Sequence, residues 1–204
     1  PELAESTRYT IGSMVAAADL SLLDRVVVSP TSGFHHAHYD RGGGFCTFNG
    51  LIVAACKILS QGAAKVGILD CDYHYGDGTD SLIMQHKLAG RVLHWTNGRS
   101  DFEFEDADRF LMKLRSVTET LSKQCDVILY QAGADMFIDD PLGGFLNMEE
   151  LRKRDRIVFE GVSKSMASIV WNLAGGYHRD EDGGIGKVLD IHRATIEECL
   201  ASNW

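Results

Sequence analysis

The stretch Asp70–Gly78, DCDYHYGDG, gathers three aspartates, one histidine and two glycines at the end of an apolar run, KVGILD. Asp72 and His74 are two residues apart, so on extended backbone their side chains point to the same side. Asp135, which follows another apolar run, completes an Asp/His/Asp set. Three protein ligands leave one or two coordination positions open, the arrangement of a catalytic rather than a structural metal centre. Two carboxylates and one imidazole suit zinc, and also ferrous iron, cobalt or manganese. Cys71 lies between the first two candidates and should point the other way. A divalent cation would neutralise the charge collected at this strand end. On its own, Asp-x-Asp-x-His reads equally well as a helix N-cap beside a satisfied histidine.

The elements that must position these residues are visible as five short apolar runs: Arg25–Ser29, Lys65–Asp70, Arg91–Trp95, Asp126–Gln131 and Ser168–Gly175. They are continuous rather than alternating, the pattern of strands buried on both faces. Helical patterns lie between them, at Gly12–Leu23, Phe48–Gln61, Thr79–Leu88, Ala107–Lys123, Met148–Ser163 and Val188–Ala201. Strand–helix alternation predicts a three-layer α/β/α fold with a mainly parallel sheet. Ligands bind such sheets beyond the carboxyl ends of the strands. The residues found there are His35 and His36 after the first run, then Asp70, Asp72, His74 and Asp77 after the second. His94 and Trp95 close the third, Asp135 follows the fourth, and Tyr177 follows the fifth. A bland surface needs no such coincidence. Gly42–Gly44 reads as a turn, because neither G-x-x-x-x-G-K-[ST] nor a strand followed by G-x-G-x-x-G occurs.

The chain has 204 residues, 45% of them hydrophobic and 24% charged, which suits one domain spanning residues 1–204. Its formal net charge of −9 argues against nucleic-acid binding. That charge would tolerate a cationic substrate, and it also serves plain solubility. No apolar run is long enough to cross a membrane. Five cysteines, an odd number without C-x-x-C, read as free thiols in a reducing, cytoplasmic setting. The N-terminus, PELAESTRYT, lacks the basic-then-apolar pattern of a signal peptide. It also lacks an initiator Met, as a fragment or a processed chain would.

Five ordered motifs resemble the histone deacetylase superfamily, with its arginase/deacetylase fold. SGFHHA (Ser32–Ala37) is similar to the family's Gly-x-His-His-Ala loop, and GGFCTFNG (Gly43–Gly50) to its Gly-Phe-Cys-x-x-Asn segment. LDCDYHYGDGT (Leu69–Thr79) resembles the metal strand, and QAGADMFIDDPLG (Gln131–Gly143) the Gly-Ala-Asp…Asp-Pro-Leu-Gly segment. LAGGYH (Leu173–His178) resembles the glycine-tyrosine loop.

The resemblance implies that Asp72, His74 and Asp135 bind the metal, usually zinc. It implies that His36, oriented by Asp77, is the general base and then the acid. His35, paired with Asp70, would supply positive charge and position the water. Tyr177 would donate to the developing oxyanion, while Gly44 and Phe45 line a channel for an acylated amine side chain. Asp70, with the carbonyls of Asp72 and His74, resembles the family's potassium site, although Val92 aligns where a serine often helps. The family's N-terminal part is not present in this sequence. The segment between the third and fourth runs is also short, leaving Phe102 or Phe104 to supply the second aromatic wall opposite Phe45.

The expected activity is therefore zinc-dependent removal of an acetyl or similar acyl group from acetyl-lysine or an acetylpolyamine. The alternatives are an inactive, metal-containing module that binds acyl-lysine and, less favoured, an arginase-like ureohydrolase. His35–His36 and the GGY loop count against the latter. A homo-oligomer is compatible with the sequence.

Overall fold

The computed structural model describes residues 2–99 and 106–204; Phe102 and Phe104 lie outside these residues. Five strands, β1 (Val26–Ser29), β2 (Val66–Asp70), β3 (Val92–Thr96), β4 (Val127–Gly133) and β5 (Ser168–Ala174), form one sheet in the order β1-β5-β4-β2-β3. Every neighbouring pair is parallel. The helices are α1 (Glu2–Leu20), α2 (Gly50–Ser60), α3 (Asp77–Gln85), α4 (Ala107–Gln124), α5 (Met148–Ser163) and α6 (Gly186–Ala201).

Alternation along the strands sends side chains to two cores. Val66, Ile68, Val127 and Leu129 pack with Met14 of α1, Leu51 and Ile58 of α2 and Leu82 of α3. Leu69, Ile128, Tyr130 and Trp171 pack on the other face with Phe110 and Leu114 of α4, Phe159 of α5 and Ile191 of α6. The result is the expected α/β/α sandwich. Central β2 and β4 are buried throughout, whereas edge strands β1 and β3 are only partly covered. Continuous apolar runs thus mark true two-sided burial only in the sheet interior.

Helix α1 begins ten residues before its apolar pattern does. Nothing in ELAESTRYTI breaks a helix, and Glu2 and Glu5 in the first turn favour that terminus. Gly12, inside the helix, costs about 1 kcal/mol relative to Ala, which its extra turns and packing offset.

At the carboxyl end the sheet carries a polar row. Thr96 pairs with Asp70, Asp70 with Gln131, Gln131 with Asn172, and Asn172 with Ser29. All five are buried. The apolar face therefore ends in polar groups just beneath the loops that follow the strands. One of those loops is closed by the start of α5, where Asn147 and Glu150 form a capping box.

Candidate active site

Asp72 and His74 leave β2 on the short segment before α3, and Asp135 lies in the turn that ends β4. Their ligand atoms all lie within 4.8 Å of one another. His74 Nδ1 is 3.1 Å from Asp72 Oδ1 and 2.9 Å from Asp135 Oδ2. On the other side of the ring, Nε2 lies 3.1 Å from the Leu142 carbonyl. A carbonyl accepts only from N–H, so this bond places a proton on Nε2 and leaves Nδ1 to face the carboxylates. Tyr73 N–H is shared by both Asp135 oxygens at 3.3 Å, and His74 N–H donates to Asp72 Oδ1 at 3.0 Å.

This donor set fits a divalent metal. Asp135 is pushed up to about 7 by burial and by the charge of Asp72. His74 is raised to about 10 by its hydrogen bonds to Asp135 and Asp72. Two near-buried carboxylates held this close favour a cation between them. Cys71 is fully buried in the core on the α4–α6 face, as its position between the two ligands predicts. Gly175, with φ of 52°, passes so near that an added Cβ would run into the Asp135 carboxyl.

The two histidines stand beside this cluster with their ring centroids 4.0 Å apart. His35 Nδ1 meets Asp70 Oδ2 at 2.9 Å, and Asp70 Oδ1 also accepts from Gln131 Nε2 and Asp72 N–H. Burial pulls His35 down, but Asp70, Asp72 and Asp135 lift it to about 9. His36 Nδ1 meets Asp77 Oδ1 at 2.7 Å, and His38 Nε2 holds the other oxygen at 3.1 Å. Burial and the neighbouring His35 and His74 hold His36 below its ordinary value, against the pull of Asp77. Adjacent imidazoles are thereby pushed apart, one towards the cation and one towards the free base.

A cleft of about 280 Å³ opens here, lined among others by His35, Gly44, Phe45, Asp72, Gln131 and Tyr177. Phe45 and Tyr177 face each other across 5.7 Å. Phe45 is 83% exposed and holds a left-handed φ of 63°, a strained conformation for a phenylalanine. Gly44 before it is also left-handed, and a Cβ there would strike the His36 ring. The structure thus brings all ten expected residues to one edge of the sheet.

Two expectations are corrected. Thr96, not Val92, stands beside Asp70, while Val92 pairs with Val66 at the opposite end of the strands. A hydroxyl is therefore present, and it accepts from Gly76 N–H at 3.1 Å. His94, considered as a pocket residue, lies behind the cleft with its side chain 1% exposed, bonded to Asp80 at 2.9 Å. Sequence reading also missed Gln131, Asp140 and Arg154. Arg154 is fully buried, bonds Asp155 at 2.8 Å and donates to the Gly133 carbonyl just before the turn that carries Asp135. A charged residue within an otherwise amphipathic helix gave no signal of that contact.

Fold and site together define an α/β protein with an Asp/His/Asp group, able to hold a metal ion, at the carboxyl edge of a parallel sheet. Residues 1–95 match the family model of the histone deacetylase domain. The chain is 25% identical to histone deacetylase 2 of Arabidopsis thaliana, over 83% of this chain and 49% of that protein. It is 26% identical to acetylpolyamine amidohydrolase 2 of Pseudomonas aeruginosa, over 73% of this chain and 50% of that one. The chain thus spans about half the length of these two curated relatives. In fold it is similar to the acetylpolyamine aminohydrolase from Burkholderia pseudomallei, with a TM-score of 0.75 and 19% identity, covering 94% of this chain and 61% of that one. In sequence the chain is thus similar to members of the histone deacetylase superfamily, most extensively over residues 1–95. Among the described residues, no helix is long and apolar enough to cross a membrane.

Proposed function

We propose that this chain is a metal-dependent amidohydrolase that removes an acetyl or similar acyl group from an acylated primary amine. The observation that carries this reading is that Tyr177 and His35 line the cleft with Asp72, while the His36 ring stands 6.1 Å from that of His74, beside the Asp72, His74 and Asp135 cluster. A pure binding module needs neither a base nor an oxyanion donor.

Asp72, His74 and Asp135 would hold the metal, zinc or ferrous iron. Bound there, it would polarise the amide carbonyl and acidify water towards neutrality. His36, kept as the free base and oriented by Asp77, takes the proton from the attacking water and returns it to the departing amine. His35, charged against Asp70, stabilises negative charge and orients the water. The Tyr177 hydroxyl donates to the tetrahedral oxyanion. Burial, with the charges of Asp72 and Asp135, raises the Tyr177 pKa above the ordinary phenol value, so the hydroxyl keeps its proton. Phe45 and Gly44 flank the entrance, where an aliphatic amine side chain would lie. Asp70 with Thr96 beside it, and the carbonyls of Asp72 and His74, would take a potassium ion.

Relatives named as histone deacetylase and as acetylpolyamine amidohydrolase leave the carrier amine as acetyl-lysine or acetylpolyamine. Parallel kinetics on an acetyl-lysine peptide and on acetylated putrescine or spermidine, with zinc and ferrous iron supplied separately, separate the two. Metal binding without turnover of either substrate would favour the inactive acyl-lysine-binding module.

A further inference from the structure

Asp140 lies in the loop between the turn that carries Asp135 and α5, and it is 7% exposed. Its two oxygens serve two different segments. Oδ1 accepts from Leu142 N–H at 3.0 Å, and Oδ2 accepts from Tyr177 N–H at 2.7 Å. Leu142 is the residue whose carbonyl receives His74 Nε2–H. Tyr177 follows two left-handed glycines, Gly175 and Gly176, with φ of 52° and 96°. Such a pair leaves the backbone few steric restraints, so whatever grips the next amide fixes the tyrosine. The neighbouring grip is looser: His178 Nδ1 reaches the Asp139 carbonyl at 3.1 Å.

We infer that Asp140 is a positioning residue that sets the His74 imidazole and the Tyr177 hydroxyl in register with each other. The inference rests on the functional reading above. A carboxylate is needed because both oxygens accept, each from a backbone amide. An asparagine has a single acceptor oxygen, so one amide would face an NH₂ group and lose its partner.

The test compares Asp140→Asn, Tyr177→Phe and the double variant at saturating zinc, together with zinc titrations made without substrate. Asp140→Asn should lower kcat about 10–100-fold, as changes behind metal ligands typically do, with a much smaller change in KM. In the Tyr177→Phe background the same change should cost less than threefold, because the hydroxyl it places is gone. It should also weaken zinc binding about tenfold, while Tyr177→Phe leaves zinc affinity unaltered. Multiplicative kcat losses would overturn the link to Tyr177, and an unchanged zinc affinity would overturn the link to His74. If the parent chain has no turnover, the functional reading fails, and the zinc titration still decides the His74 link. Should Asp140→Asn not fold, Asp140→Ser, which also accepts only one amide, takes its place. A measurement on the parent chain needs no variant: the Leu142 and Tyr177 amides should exchange with deuterium more slowly than those of Gly176 and His178. Equal exchange would overturn the inference.

Discussion

His36 Nδ1 and Asp77 Oδ1 lie 2.7 Å apart, and this contact opposes the burial that lowers the pH at which the His36 imidazole takes up a proton. Burial holds His36 below its ordinary value, and the Asp77 bond works against that. A lowered pKa means that His36 is neutral at pH 7 and gains its proton only below about 6.5. The pH profile of kcat/KM should therefore fall on an acid limb whose midpoint lies below about 6.5. Asp77→Asn removes the group that raises His36, so the limb should move further down in pH while the plateau drops. A limb that moves up would refute the assignment of His36 as the base.

Tyr177→Phe isolates the hydroxyl. Loss of one oxyanion donor costs about 2.7–4 kcal/mol of transition-state stabilisation, so kcat should fall about 10²–10³-fold. Zinc affinity and melting temperature should stay near the parent values, because the hydroxyl is not hydrogen-bonded to another described residue. Unchanged turnover would show that another group is the donor.

Gly175→Ala tests the close approach at Asp135. The left-handed φ of 52° and the Cβ aimed at the carboxyl act together. The strain should lower stability by about 1–3 kcal/mol in urea unfolding. The displaced Asp135 should weaken zinc binding in a competition titration. A variant as stable and as tightly metallated as the parent would mean that the loop shifts freely.

Metal binding should stabilise the fold measurably. At a zinc concentration about one hundred times Kd the gain is about 2.7 kcal/mol. For a chain of this size that is a rise of roughly 5–11 °C in melting temperature. Asp72→Ala should abolish the rise. A rise that survives this change would place the ion elsewhere.

Much of this arrangement was legible in the sequence because it rests on local rules. Buried runs marked β2 and β4, period-two spacing put Asp72 and His74 on one side, and five motifs supplied the partners of each. What escaped depends on contacts between distant segments. Thr96 reaches Asp70 only through the register of β3 on β2, which sequence spacing does not fix. Asp140 looked like an ordinary turn residue before proline, yet its second oxygen finds an amide 37 residues away. The start of α1 escaped because Glu2, Glu5, Ser6, Arg8 and Tyr9 are exposed there, so no apolar period announces it.

The central claim is that His36 and a metal held by Asp72, His74 and Asp135 together hydrolyse an acylated amine. Its most direct test is deacetylation of a fluorogenic acetyl-lysine substrate by metal-stripped chain, by zinc- or iron-reconstituted chain, and by reconstituted His36→Ala. The account predicts turnover only in the reconstituted parent, with one metal per chain and an equal metal content in His36→Ala. Turnover that persists without metal, or in His36→Ala at the parent rate, would contradict it.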